Sequence, residues 1–117
     1  MERRVVITGM GVVSPIGNDV DTFWNSLIAG KSGIGTISDD SLLGFDCKIA
    51  GEVKNFDPAP YFKNPKDARR ADRFAQLAMG ASVMAMADSQ VDLEQVDLDR
   101  FGCMVGSGIG GLETLEQ

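Results

Sequence analysis

Val5-Val-Ile-Thr-Gly-Met-Gly-Val-Val-Ser-Pro-Ile-Gly17 decides how this chain is read. An apolar run suited to a fully buried strand breaks into turn glycines and then a proline. The same punctuation returns in Phe101-Gly-Cys-Met-Val-Gly-Ser-Gly-Ile-Gly-Gly111, where a second short apolar segment runs into four glycines. Two buried strands, each delivering a glycine loop, are therefore expected, and strands that end this way usually feed a site.

Between them the pattern changes period. Asn18 or Asp19 is placed to cap a helix in which Val20, Phe23, Trp24, Leu27 and Ile28 recur at helical spacing until Gly30 stops it. Gly30 to Gly51 is turn-rich and reads as a long loop with a short strand over Lys48–Val53, and Pro58, Pro60 and Pro65 continue the irregular connection. From Asp72 to Ala87 a second helix is expected, apolar nearly all the way round and so buried on most faces. Its small residues Ala75, Ala78, Gly80, Ala81 and Ala85 admit close neighbours. Asp88 to Arg100 is an acidic, solvated connection. The order strand, helix, long loop, buried helix, strand points to layered α/β architecture.

The 117 residues suffice for one domain or part of one, and 44% hydrophobic with 24% charged residues is globular composition. Leu112-Glu-Thr-Leu-Glu-Gln117 begins an amphipathic pattern without a stop signal, so the chain reads as the N-terminal piece of something longer. A net charge of −6 argues against nucleic-acid binding, and the absence of histidine removes the commonest acid, base and metal ligand. Cys47 and Cys103 have no disulfide-like spacing, no signal peptide is evident, and no stretch approaches the roughly 20 apolar residues of a membrane helix. A cytoplasmic location, away from the membrane, is the expectation.

Three features carry chemistry. Gly106-Ser-Gly-Ile-Gly-Gly111 fits the G-x-G-x-x-G pattern that brings backbone close to a pyrophosphate, whereas the first loop lacks the third glycine; nucleotide binding, turns made for packing, and another kind of site all stay open. Between Lys63 and Arg73, five cations (Lys63, Lys66, Arg69, Arg70, Arg73) face two carboxylates, a local positive excess in an acidic chain. Lys66, Arg69, Arg70 and Arg73 would share one helical face that continues into Leu77 and Met84. A break near Ala71 is therefore expected, with Asp72 capping the second helix and the basic turn projecting outward. Such a turn suits an acidic macromolecular partner, or is an ordinary solvated face. Neither cysteine has a base to make thiolate: Cys103 is assigned to core packing and Cys47 is incidental.

Taken together, Arg3-Arg-Val-Val-Ile-Thr-Gly-Met-Gly-Val-Val-Ser-Pro-Ile-Gly-Asn18, Phe23-Trp-Asn-Ser-Leu-Ile-Ala-Gly-Lys-Ser-Gly-Ile34 and Val105-Gly-Ser-Gly-Ile-Gly-Gly-Leu112 closely resemble the N-terminal part of β-ketoacyl-acyl-carrier-protein synthases, the type II elongating branch in particular. The resemblance runs across essentially all of residues 1–117. It implies the first part of a thiolase-like α/β fold, a homodimer, and a decarboxylative Claisen condensation between an acyl-enzyme and malonyl-acyl-carrier protein, without metal or cofactor. The family's nucleophilic cysteine and two histidines would lie past Gln117, so no catalytic residue is expected in this chain. By the same resemblance Lys66, Arg69 and Arg70 match a basic patch that docks the acyl carrier protein. Ile109 matches the residue lining the far end of the acyl pocket. A polyketide ketosynthase or its chain-length partner would share these loops.

Overall fold

The computed structural model describes residues 3–38, 44 and 46–116. They form two compact units, Val12–Phe56 and the combination of Met1–Gly11 with Asp57–Gln117.

The first of these opens on a tight turn in which Ser14 and Gly17 exchange backbone hydrogen bonds of 2.8 and 3.2 Å, with Pro15 and Ile16 at its tip. Helix α1, Val20–Ile28, follows. Asp19 is its N-cap: the carboxylate accepts from the Thr22 amide at 2.7 Å and from its hydroxyl at 2.8 Å. The helix ends as the glycine forecast. Gly30 has φ +65°, its amide reaches Leu27 O, and the Lys31 amide reaches Ser26 O, the paired bonds of a Schellman stop. Val20 and Phe23 of the α1 stripe are half-buried, whereas Trp24, Leu27 and Ile28 are exposed, Trp24 at 58%.

Strands β1, Ile34–Thr36, and β2, Ile49–Gly51, pair antiparallel in the register Ile34↔Gly51, Gly35↔Ala50 and Thr36↔Ile49. The forecast strand over Lys48–Val53 is there, shortened, and its partner β1 replaces part of the expected loop. Ile-Gly-Thr is too short to show alternation, which is why no pattern announces it. Ser38 and Glu52 tie the strand ends together, the carboxylate accepting from the Ser38 amide at 3.1 Å and from its hydroxyl at 2.7 Å.

In the other unit, a 3-10 turn at Ala59–Tyr61 leads to α2, Pro65–Arg70, and α3, Arg73–Ser89. A second 3-10 turn, Leu98–Arg100, precedes α4, Leu112–Glu116. The opening segment lies on α3. A Cβ on Gly9 would strike the Ala85 carbonyl and the Ser89 backbone, and one on Gly11 would strike Ala81 and Ala85. Residues two apart on the segment thus meet residues four apart on the helix, the repeats of extended chain and of one helical face. The Met10 amide donates to Asp88 Oδ2 at 2.8 Å and fixes the register.

Three expectations need correction. Residues 5–8 and 101–105 carry no strand ladder, and their apolar side chains are uncovered, Val5 at 94% and Met104 at 98% exposure. A strand exists only through a neighbour, and β1 with β2 is the only paired sheet among the described residues. For the same reason Cys103 is exposed, not packed in a core, and α3 buries only Gly80 fully while Phe74, Met79, Val83 and Met86 reach the surface.

One prediction belongs here. The Thr22 amide, followed by its hydroxyl, holds the Asp19 carboxyl below the ordinary carboxylate value. A depressed carboxyl contributes stability that is present above about pH 4 and lost as pH falls through its lower folded value. Asp19→Ala is expected to cost about 1 kcal/mol at neutral pH and less once the wild-type carboxyl is protonated, since the neutral group still accepts from the Thr22 amide but without its charge. Denaturation midpoints of both proteins at neutral and strongly acidic pH check this.

Candidate functional site

The basic segment folds as a helical elbow. Asn64 caps α2, its side-chain oxygen accepting from the Lys66 amide at 3.0 Å, and Pro65 occupies the first turn, where its missing N–H costs nothing. Ala68, 1% exposed, seats α2 beside the Ala59–Tyr61 turn. The helix then stops: Ala71 (ψ 137°) and Asp72 (ψ 154°) are both extended before α3 begins at Arg73. The break is where charge logic placed it. Lys66, Arg69 and Arg70 share one short helical face and all three are exposed.

What holds the elbow was not foreseen. Gln76, on the first turn of α3, donates from Nε2 to Ala68 O at 2.9 Å and to Ala71 O at 3.0 Å, while its Oε1 accepts from Arg73 Nη1 at 3.1 Å. It therefore satisfies carbonyls left open where α2 ends, a task usually given to a glycine stop or to water. Its only sequence signal is a lone amide side chain inside the apolar run from Phe74 to Ala87.

Asp72 does occupy the N-cap position of α3, but its side chain makes no cap bond there. The carboxylate turns instead to Thr114 Oγ1 of α4 and fills the space a Cβ on Gly111 would need. This bears directly on the glycine pattern. The cradle at Gly111 is taken by the chain's own carboxylate, α4 is only five residues long, and Gly9 and Gly11 are packed on α3. A phosphate would meet a negative charge at the one loop and helix backbone at the other.

Arg69, Arg70, Arg73, Gln76 and Thr114 border a cleft of ≈ 560 Å³ at the elbow. A smaller pocket of ≈ 190 Å³ lies between Asp72, Arg73, Phe74 and the Gly110–Leu112 turn, where Gly110 has φ +89°. Ile109 sits one residue before that turn, 73% exposed and outside the pocket's lining. Lys66, Arg69 and Arg70 are thus brought together, with Ile109 on the neighbouring loop. Among the described residues no group of three or more His, Cys, Asp or Glu side chains could hold a metal, and no helix is long and apolar enough to cross a membrane.

The chain belongs to the β-ketoacyl synthase family, whose N-terminal domain matches residues 2–117. Among its relatives, 3-oxoacyl-[acyl-carrier-protein] synthase 2 of Vibrio cholerae is 44% identical over 115 residues, 98% of this chain and 28% of that protein. The Staphylococcus aureus protein of the same name is 46% identical over 114 residues, 97% of this chain and 27% of the relative. Among solved structures, the ishigamide ketosynthase/chain length factor superposes with a TM-score of 0.71 at 35% identity, over 82% of this chain and 24% of that one. The chain therefore spans little more than a quarter of the length of the curated relatives it matches.

Proposed function

We propose that this chain is the scaffold and carrier-docking part of a 3-oxoacyl-[acyl-carrier-protein] synthase of the type 2 class, which condenses an acyl-enzyme with malonyl-acyl-carrier protein in fatty-acid elongation. The observation that carries the proposal is the family match across residues 2–117, joined to a basic helix whose three cations stand clear of an acidic chain. Lys66, Arg69 and Arg70 would meet the acidic carrier protein. Charges on an exposed rim steer such encounters and set their rate more than they add affinity. The nucleophile and its histidines belong to the rest of the synthase, which acts as a cytoplasmic homodimer. Mass spectrometry of the complete synthase given acyl- and malonyl-carrier protein tests this: 3-oxoacyl-carrier protein with loss of CO₂ is expected, and acyl transfer without condensation would refute it.

In this reading Ile109 limits the acyl chain. Its exposure leaves the side chain open to another surface, and a branched residue at the end of a pocket blocks growth sterically. Ile109→Phe is expected to reduce turnover of long primers at least about tenfold while sparing short ones. Equal losses at all primer lengths would remove that role.

The likeness to a ketosynthase/chain length factor supports a second reading, a ketosynthase or chain-length partner of polyketide synthesis. A nucleophilic cysteine downstream with a fatty-acyl product favours the first; its absence favours a chain-length partner.

A further inference from the structure

We infer that Gln76 is a positioning residue for carrier docking, a role that rests on the assignment of Lys66, Arg69 and Arg70 to that surface. The reasoning starts from the length of α2. Six residues supply few internal hydrogen bonds, and a helix this short is marginal without outside support. Arg69 and Arg70 are its last two residues, where a helix frays first. Their direction therefore depends on whatever ties down the C-terminal carbonyls.

One amide performs that task. Gln76 Nε2 spends both hydrogens on α2, at Ala68 O and Ala71 O, carbonyls on either side of the arginine pair. The part-buried setting of these bonds shields them from competing water. On the other side Oε1 accepts from Arg73 Nη1, which fixes which end of the carboxamide faces the carbonyls. Gln76 in turn is carried on the first turn of the 17-residue α3, to which Gly9 and Gly11 are also bedded. Gln76 thus ties the segment that carries the arginine pair to the longest helix among the described residues. Gln76 itself need not touch a carrier protein to affect its binding.

The test uses the complete synthase with Gln76→Met, which keeps the length and removes both donors, and Gln76→Glu, which keeps the acceptor for Arg73 but sets a carboxylate against two carbonyl oxygens. Both are expected to raise KM for carrier-borne acyl substrate about three- to tenfold with kcat unchanged, and to leave kinetics with a carrier-free acyl thioester as in wild type. A merely structural role would lower activity with both substrates together, and that outcome overturns the inference. Arg69→Glu/Arg70→Glu runs in parallel. If the reversal raises KM and the Gln76 variants do not, positioning by Gln76 fails while docking stands. If neither raises it, docking fails and the inference falls with it. Should Gln76→Met not fold, Gln76→Glu carries the same comparison.

Discussion

Gly11→Ala in the complete synthase is expected to lower its stability by about 3 kcal/mol, the upper part of the range for forcing an atom into a packed contact. The added methyl would meet the Ala81 carbonyl oxygen and the Ala85 amide nitrogen, both backbone atoms in the middle of α3. Side chains can rotate away from an intruder, but helix backbone moves only by displacing the whole helix. Gly9→Ala meets the same helix about one turn further on, at the Ala85 carbonyl and the Ser89 backbone, and a loss of the same kind and similar size is expected there. The contrast is Gly35→Ala in β1. Nothing lies within 4 Å of its Cβ position, so a change within about 0.5 kcal/mol is expected. Urea midpoints for the three variants make the comparison, and equal midpoints for Gly11→Ala and Gly35→Ala would contradict the packing of the opening segment on α3.

This glycine pair also shows what the sequence conveyed. Gly-Met-Gly after an apolar run announces close backbone approach, but not what approaches. Packing and ligand binding require the same missing Cβ, so only coordinates separate them, and here the neighbour is a stripe of small residues on α3. The helices were legible because their signals are local. Asp19, the apolar stripe and Gly30 bound α1, and the impossibility of burying four cations on one straight helix forced the break at Ala71. The β1–β2 hairpin was half visible, since three-residue strands carry too few side chains for alternation. The buried strands were read from hydrophobicity alone, which reports that a segment seeks cover and says nothing of which segment supplies it. Asp72 was assigned its cap by type, whereas Thr114, 42 residues away, takes its carboxylate. Gln76 carries no comparable signal because the groups it donates to are main-chain carbonyls, which leave no trace in residue type.

The second large effect is electrostatic. Arg69→Glu/Arg70→Glu changes the local charge by four and turns a cationic elbow acidic, beside a chain that is already −6. An acidic carrier protein would then meet like charge at encounter. A rise of about tenfold in KM for acyl-carrier protein is expected at low ionic strength, shrinking as salt shortens the screening length. The exposure of both side chains makes the fold an onlooker to this change, so thermal stability is expected to move little. Kinetics at two ionic strengths, with a melting curve of the double variant, separate docking from damage. Unchanged kinetics at low salt would refute the assignment.

Binding without turnover gives the sharpest view of the elbow. Isotope-labelled acyl carrier protein titrated with the complete synthase at low salt, followed by NMR, is expected to show shifts gathered on its acidic surface, lost when Arg69 and Arg70 are reversed and recovered in part when the carrier's own acidic residues are made basic. Shifts of the same size and place with the reversed synthase would mean that α2 is an ordinary solvated helix and that the carrier docks elsewhere.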